Sequence, residues 1–170
     1  MNLPNAISVL RFPLAALFPF VTDLSGRIAI VALAAFTDFL DGRLARSTDR
    51  VTRAGELLDP IADKTFMVAV IVTLVAEGRL ALWTLPLLLV RDIGVALGAV
   101  VLVLRGTRVR MPSRRAGKIV TWAQFAAIGV ILLWPEAAVW VAPAIAIAGL
   151  VALRDYVLAV LPAVRAAESR

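Results

Sequence analysis

An all-helical membrane bundle of six spanning segments is the fold that this sequence predicts. Three observations lead there. Of the 170 residues, 61% are hydrophobic, against roughly 45–50% in soluble domains. Apolar runs near the ~20 residues that a spanning helix needs recur along the chain. Arginine and lysine collect in alternate connections between those runs, as they do in loops on the cytoplasmic face. The length suits one domain, residues 1–170, whose natural solvent is a bilayer.

The six runs lie at roughly 5–22, 26–46, 55–76, 81–104, 117–134 and 138–161. Pro13 and Pro19 are expected to kink the first, which a bundle tolerates. Gly26 and Gly78 are placed at turns, and Pro135 closes the fifth run. In the fourth, Gly94 and Gly98 form a G-x-x-x-G surface for close packing, within one subunit or against a second copy in a homodimer. Trp83, Trp122, Trp134 and Trp140 fall near run ends, where indoles favour the membrane interface. No soluble domain, linker or internal repeat stands between the runs. There is no Lys or Arg before Arg11 and no small-residue cleavage site, so the N-terminus reads as mature sequence.

Orientation follows from the loop charges. Arg43, Arg46, Arg50 and Arg53 surround the connection after the second run. Arg105, Arg108, Arg110, Arg114, Arg115 and Lys118 surround the connection after the fourth. The opposite connections hold only Arg27 and Arg79. Both termini and both basic loops are therefore expected on the cytoplasmic side of a cytoplasmic (inner) membrane. The 18 Lys+Arg against 12 Asp+Glu suit anionic lipid rather than nucleic acid, because the excess sits in these short loops. Cysteine and histidine are both absent, which excludes disulfides and thiolate chemistry. Any metal site must then be built from oxygen ligands, favouring Mg, Mn or Ca over Zn.

Four acids stand where acids are costly. Asp38 and Asp41 end one apolar run, and Asp59 and Asp63 begin the next. A carboxylate at bilayer depth costs about 2.5–3.5 kcal/mol or more unless it is paired, hydrated or bound to a cation. Spacings of three and four put each pair on one face of a helix. A short connection makes the two helices neighbours, so the faces can converge. Four such carboxylates repel unless cations lie between them. Two divalent ions, Mg²⁺ or Mn²⁺, are the expected occupants, able to clamp a phosphoryl group from both sides. Ion pairs with Arg43, Arg46 and Arg53 are the structural alternative. Gly42, Ala45 and Gly55 are small and leave the backbone open to a ligand.

The stretch TDFLDGRLARSTDRVTRAGELLDPIADK resembles the signature of the CDP-alcohol phosphatidyltransferase family, D-x2-D-G-x2-A-R-x8-G-x3-D-x3-D. Asp38, Asp41, Gly42, Ala45, Arg46, Gly55, Asp59 and Asp63 fill all eight specified positions. NLPNAISVLRF, LDPIADK, the Arg91-Asp92 pair and GKIVTWAQ are similar to phosphatidylglycerophosphate synthases and to cardiolipin synthases of the same family. The resemblance implies transfer of a phosphatidyl group from CDP-diacylglycerol to an alcohol, with release of CMP, at a site facing the cytoplasm. It implies that Asp38, Asp41, Asp59 and Asp63 bind two metal ions and that Asp63 is the catalytic base. It assigns the CDP-lipid to Asp38, Asp41, Gly42, Ala45, Arg46, Gly55 and Asp59.

A phosphorylated acceptor needs cations, and Lys64, Arg91, Arg114, Arg115 and Lys118 are the candidates. Asp92 is not expected to pair with Arg91, because adjacent helix residues point apart. Lys64 is likewise expected to project away from Asp63. Glycerol 3-phosphate is the expected acceptor. Its synthases usually carry Arg-Glu in place of Arg91-Asp92 and often a later Arg, which ALGAVVLV lacks. A cardiolipin synthase using phosphatidylglycerol is therefore the alternative. An ion-coupled transporter is the alternative outside the enzymes, since intramembrane acids serve there too.

Overall fold

The computed structural model describes residues 7–48, 53–105 and 115–168; side chains at 41–60, 106–116, 163 and 165–168 lie outside the described residues. Six helices longer than one turn are described: α1 (Arg11–Leu17), α2 (Leu24–Thr48), α3 (Arg53–Ala76), α4 (Thr84–Leu104), α5 (Arg115–Leu133) and α6 (Ala138–Glu168). No strand occurs among the described residues. Four of the six, α2 to α5, match an apolar run to within three residues, and α1 covers only the middle of the first run. The last continues past its predicted end, with Pro143 and Pro162 inside it.

Local chemistry explains the boundaries. The first run is not one long helix: α1 passes into a 3-10 turn, Phe18–Phe20, at Pro19, where a proline suits the start of a turn. The α2 helix starts on Asp23, whose carboxylate accepts from the Gly26 amide at 2.7 Å and the Ser25 hydroxyl at 2.9 Å. Gly26 thus lies in the first turn of α2 rather than in a connecting turn. These bonds hold the Asp23 carboxyl below its usual range, the Gly26 amide contributing most. At the far end of α3, Gly78 has φ +70°, a conformation that costs glycine little. The chain leaves α5 at Trp134, and Pro135–Ala137 forms a second 3-10 turn.

Two units are distinguishable. The first comprises residues 1–82 with 128–135, the second 83–127 with 136–170. In the first, α1 packs on α3 and also touches α2. The buried face of α3 is Ala62, Phe66, Met67, Val70, Ile71 and Leu74, the three-and-four spacing of one helical stripe. In the second, α4 and α6 are the main packed pair. Small residues let them approach: a Cβ at Gly94 would collide with the Leu153 side chain, and one at Gly149 would lie 3.1 Å from Val90 Cγ1. A Cβ at Gly98 would meet nothing within 4 Å among the described residues, so of the G-x-x-x-G pair it is Gly94 that is closely packed there.

The apolar surface decides the solvent. The stretches Thr84–Leu104 and Pro135–Pro162 are long and apolar enough to cross a membrane, yet only 11% and 28% of them are buried. The core helix of a soluble protein would be mostly covered. Here Leu104 is 81% exposed and Trp140 79%, with Leu97, Ile119 and Ile147 also open. Apolar surface on this scale marks contact with lipid, and the chain is a membrane protein.

Candidate active site

Helices α2 and α3 carry all four motif aspartates on continuous helical backbone. The spacing argument requires helical backbone at these positions, and helical backbone is what α2 and α3 supply. The side chains of Asp41, Gly42, Ala45, Arg46, Gly55 and Asp59 lie outside the described residues. Those of Asp38 and Asp63 are described. Among the described residues no group of three acids gathers as a metal site, and two of the four predicted ligands fall outside that set.

Asp38 faces α1. Its Oδ1 lies 3.5 Å from Nη2 of Arg11, and Arg11 is only 1% exposed. A buried guanidinium beside a carboxylate offsets part of the cost of burying both. Arg11 was not among the sequence candidates. The rule that singles out acids in apolar runs could have found it, since it is the only charged residue before Asp23.

Asp63 is 6% exposed, on the face of α3 that carries the core. Its Oδ2 lies 2.9 Å from Lys64 Nζ. Lys64 was expected to project away, but its long, flexible stem brings the ammonium back to the neighbouring residue. Oδ1 of Asp63 is buried and has no hydrogen-bond partner among the described residues. A buried polar oxygen so placed calls for a donor or a cation. This uncommitted oxygen and an all-oxygen donor set fit a divalent ion.

The cationic candidates divide. Arg114 lies outside the described residues; Arg115 opens α5 with its side chain undescribed; Lys118 is exposed on the same helix. Arg91 is held in the second unit. Its Nη1 donates to Asp92 Oδ1 at 3.3 Å and to Thr121 Oγ1 at 3.4 Å. The expectation that Asp92 cannot partner Arg91 was wrong. Divergence at Cβ does not bind a side chain as long as arginine, whose head can curl back. Asp92 is itself anchored by Gln124 Nε2 at 2.8 Å, and the same amide donates to the Leu88 carbonyl at 2.6 Å. Neither Thr121 nor Gln124 was singled out from the sequence. A buried glutamine in an apolar helix was the available signal.

A helical membrane protein with paired acids on adjoining helices, a buried uncommitted carboxylate oxygen and a held arginine has the parts of a phosphoryl-transfer enzyme. Residues 1–162 match the CDP-alcohol phosphatidyltransferase family, and the chain belongs to that family. It is similar to the CDP-diacylglycerol--glycerol-3-phosphate 3-phosphatidyltransferase of Bacillus subtilis (strain 168), 34% identical over 78% of this chain and 77% of the relative. The protein of the same name from Pectobacterium atrosepticum is 37% identical, covering 79% of each chain. A probable phosphatidylglycerophosphate synthase of Mycobacterium tuberculosis (strain ATCC 25618 / H37Rv) is 34% identical over 78% of this chain and 66% of that protein. The chain is thus a phosphatidyltransferase, which sets the transporter alternative aside.

Proposed function

We propose that this protein transfers the phosphatidyl group of CDP-diacylglycerol to glycerol 3-phosphate, forming phosphatidylglycerophosphate and CMP. The observation that carries the reading is the eight-position motif laid along α2 and α3 and ending on the buried carboxylate of Asp63. The names of the three relatives favour glycerol 3-phosphate over phosphatidylglycerol.

In the reaction, Asp63 takes the proton of the acceptor hydroxyl. The hydroxyl oxygen bonds to the phosphorus bearing the diacylglycerol, the bond from that phosphorus to the CMP oxygen breaks, and CMP leaves with the electron pair. Gly42, Ala45, Arg46 and Gly55 hold the CDP moiety. Asp38, Asp41, Asp59 and Asp63 would hold two Mg²⁺ or Mn²⁺ ions, which when bound supply positive charge for the transferred phosphoryl group. Arg11 orients Asp38. Arg91 takes the acceptor phosphate, with Lys118, Arg114 and Arg115 as further cations; Lys64 serves Asp63 first. Six spans place both termini and this site on the cytoplasmic side of the inner membrane, and Gly98 leaves a surface that suits a homodimer.

The test is product identity. Purified protein in mixed micelles with CDP-diacylglycerol, Mg²⁺ and labelled glycerol 3-phosphate should yield phosphatidylglycerophosphate and CMP in equal amounts. CMP release with phosphatidylglycerol but not with glycerol 3-phosphate would replace this reading with cardiolipin synthesis.

A further inference from the structure

The guanidinium of Arg91 lies in a recess that exists because residue 117 has no side chain. A Cβ built on Gly117 would collide with Nη2 of Arg91 and stand 3.1 Å from its Cζ. The other walls are polar: Asp92 Oδ1 and Thr121 Oγ1 each accept from Nη1, and Thr121 Oγ1 in turn donates to the Gly117 carbonyl at 3.3 Å. At the base of the side chain, α6 is pressed close, since a Cβ at Gly149 would lie 3.3 Å from Arg91 Cβ.

The bond lengths separate what is fixed from what is poised. Gln124 holds Asp92 at 2.8 Å and the Leu88 carbonyl at 2.6 Å, so the wall is firmly seated. The contacts from Arg91 to that wall, 3.3 and 3.4 Å, are long beside the ~2.7–2.9 Å of a strong charge-assisted pair. Arg91 is thus aimed without being locked, and its side chain keeps 20% exposure. Such a cation can exchange part of its pairing for an incoming phosphate, whose geometry a guanidinium matches bidentately.

We propose that Gly117 is a positioning residue for the acceptor: its bare α-carbon makes the recess that aims Arg91 at the acceptor's phosphate. The inference rests on the reading of Arg91 as the phosphate cation. Gly117→Ala is a clean probe, because the displaced atoms are the far end of a flexible side chain. Alanine is also the better helix former, by about 0.8–1 kcal/mol, which protects the fold.

Steady-state kinetics on the full chain with CDP-diacylglycerol and glycerol 3-phosphate, together with thermal midpoints, test it in three variants: Gly117→Ala, Arg91→Gln and the double mutant. Gly117→Ala should raise KM for glycerol 3-phosphate roughly ten-fold, about the worth of one charged hydrogen bond. KM for CDP-diacylglycerol and the thermal midpoint should hold. The double mutant should be no worse than Arg91→Gln alone, because Gly117 acts through that side chain. If Arg91→Gln raises the acceptor KM and Gly117→Ala does not, the positioning role is overturned while the reading of Arg91 stands. Unchanged acceptor KM in Arg91→Gln overturns both. Parallel rises in both KM values with a lower thermal midpoint, or additive effects in the double mutant, would make Gly117 a packing residue and overturn the inference.

Discussion

Asp63 has one oxygen occupied by Lys64 and one buried oxygen with no hydrogen-bond partner among the described residues. A group that must both face a cation and receive a proton needs such an uncommitted oxygen. Asp63→Asn keeps the size and one carbonyl oxygen but cannot take the proton. Single-turnover transfer should fall by about 10²–10⁴-fold, the usual loss for a general base. CDP-diacylglycerol affinity, measured separately, should stay near wild type; near-normal single-turnover chemistry would reduce Asp63 to a ligand. Asp63 was legible from the sequence because its spacing from Asp59 and its place in an apolar run are one-dimensional facts. Its partner was not, and neither was the Arg91–Asp92 pair. Both are settled by how far a long cationic side chain can curl, which the rule for adjacent Cβ directions leaves out. Arg11 beside Asp38 was hidden for another reason: the two come from different helices.

At the scale of elements, the turn before α2 and the end of α3 are clasped together. Arg27, read from sequence as a loop charge, is instead buried in the first turns of α2. Its Nη1 donates to Glu77 Oε2 at 2.6 Å, its Nη2 pairs with Glu77 Oε1, and its Nε donates to the Val21 carbonyl at 2.6 Å. The guanidinium carbon also sits 5.2 Å from the centre of the Phe18 ring, a cation–π distance. The hydrogen bond from Arg27 is the main reason that the Glu77 carboxyl lies below its usual 4.5. Because the folded value is depressed, the pair's stabilisation is fully present above about pH 4.5 and is lost as pH falls through the lower folded value. Glu77→Gln should destabilise the detergent-solubilised protein by about 1.5–3 kcal/mol at pH 7, the range for a hydrogen bond to a charged group. Its deficit relative to wild type should shrink below pH 4.5. Asp23, also held low, weakens both proteins alike and cancels in the comparison. Thermal midpoints of the two proteins from pH 7 to pH 3 check this, and a deficit independent of pH would mean that Glu77 acts by packing alone. Four of the helices, α2 to α5, were legible to within three residues, because apolar runs mark ends locally; the clasp joins residues 50 apart and leaves no such mark.

Across the whole molecule, the question is how many helices cross the bilayer. Only two stretches qualify on length and apolarity alone, Thr84–Leu104 and Pro135–Pro162. Among the described residues, several charges that burden the other helices are matched within the chain: Arg27 by Glu77, Asp38 by Arg11, Asp63 by Lys64. Paired charges facing protein lower the cost of crossing, so a test on single helices undercounts spans in a bundle. Loop charge then supports an orientation, since nine of the 16 arginines lie in or beside the connections after α2 and α4 and the connection after α5 holds none. On this basis the proposed topology is six crossings with cytoplasmic termini. The chain has no cysteine, so single cysteines can be introduced at Ser47, in the last turn of α2, at Ser113 before α5, and at Ala137 between α5 and α6. In intact cells a membrane-impermeant maleimide should reach Ala137→Cys alone. In inside-out vesicles it should reach Ser47→Cys and Ser113→Cys instead. Labelling of Ser47→Cys from outside would overturn the topology and move the acids of α2 and α3 to the wrong face. Labelling of Ser113→Cys and Ala137→Cys from the same side would show that α5 does not cross.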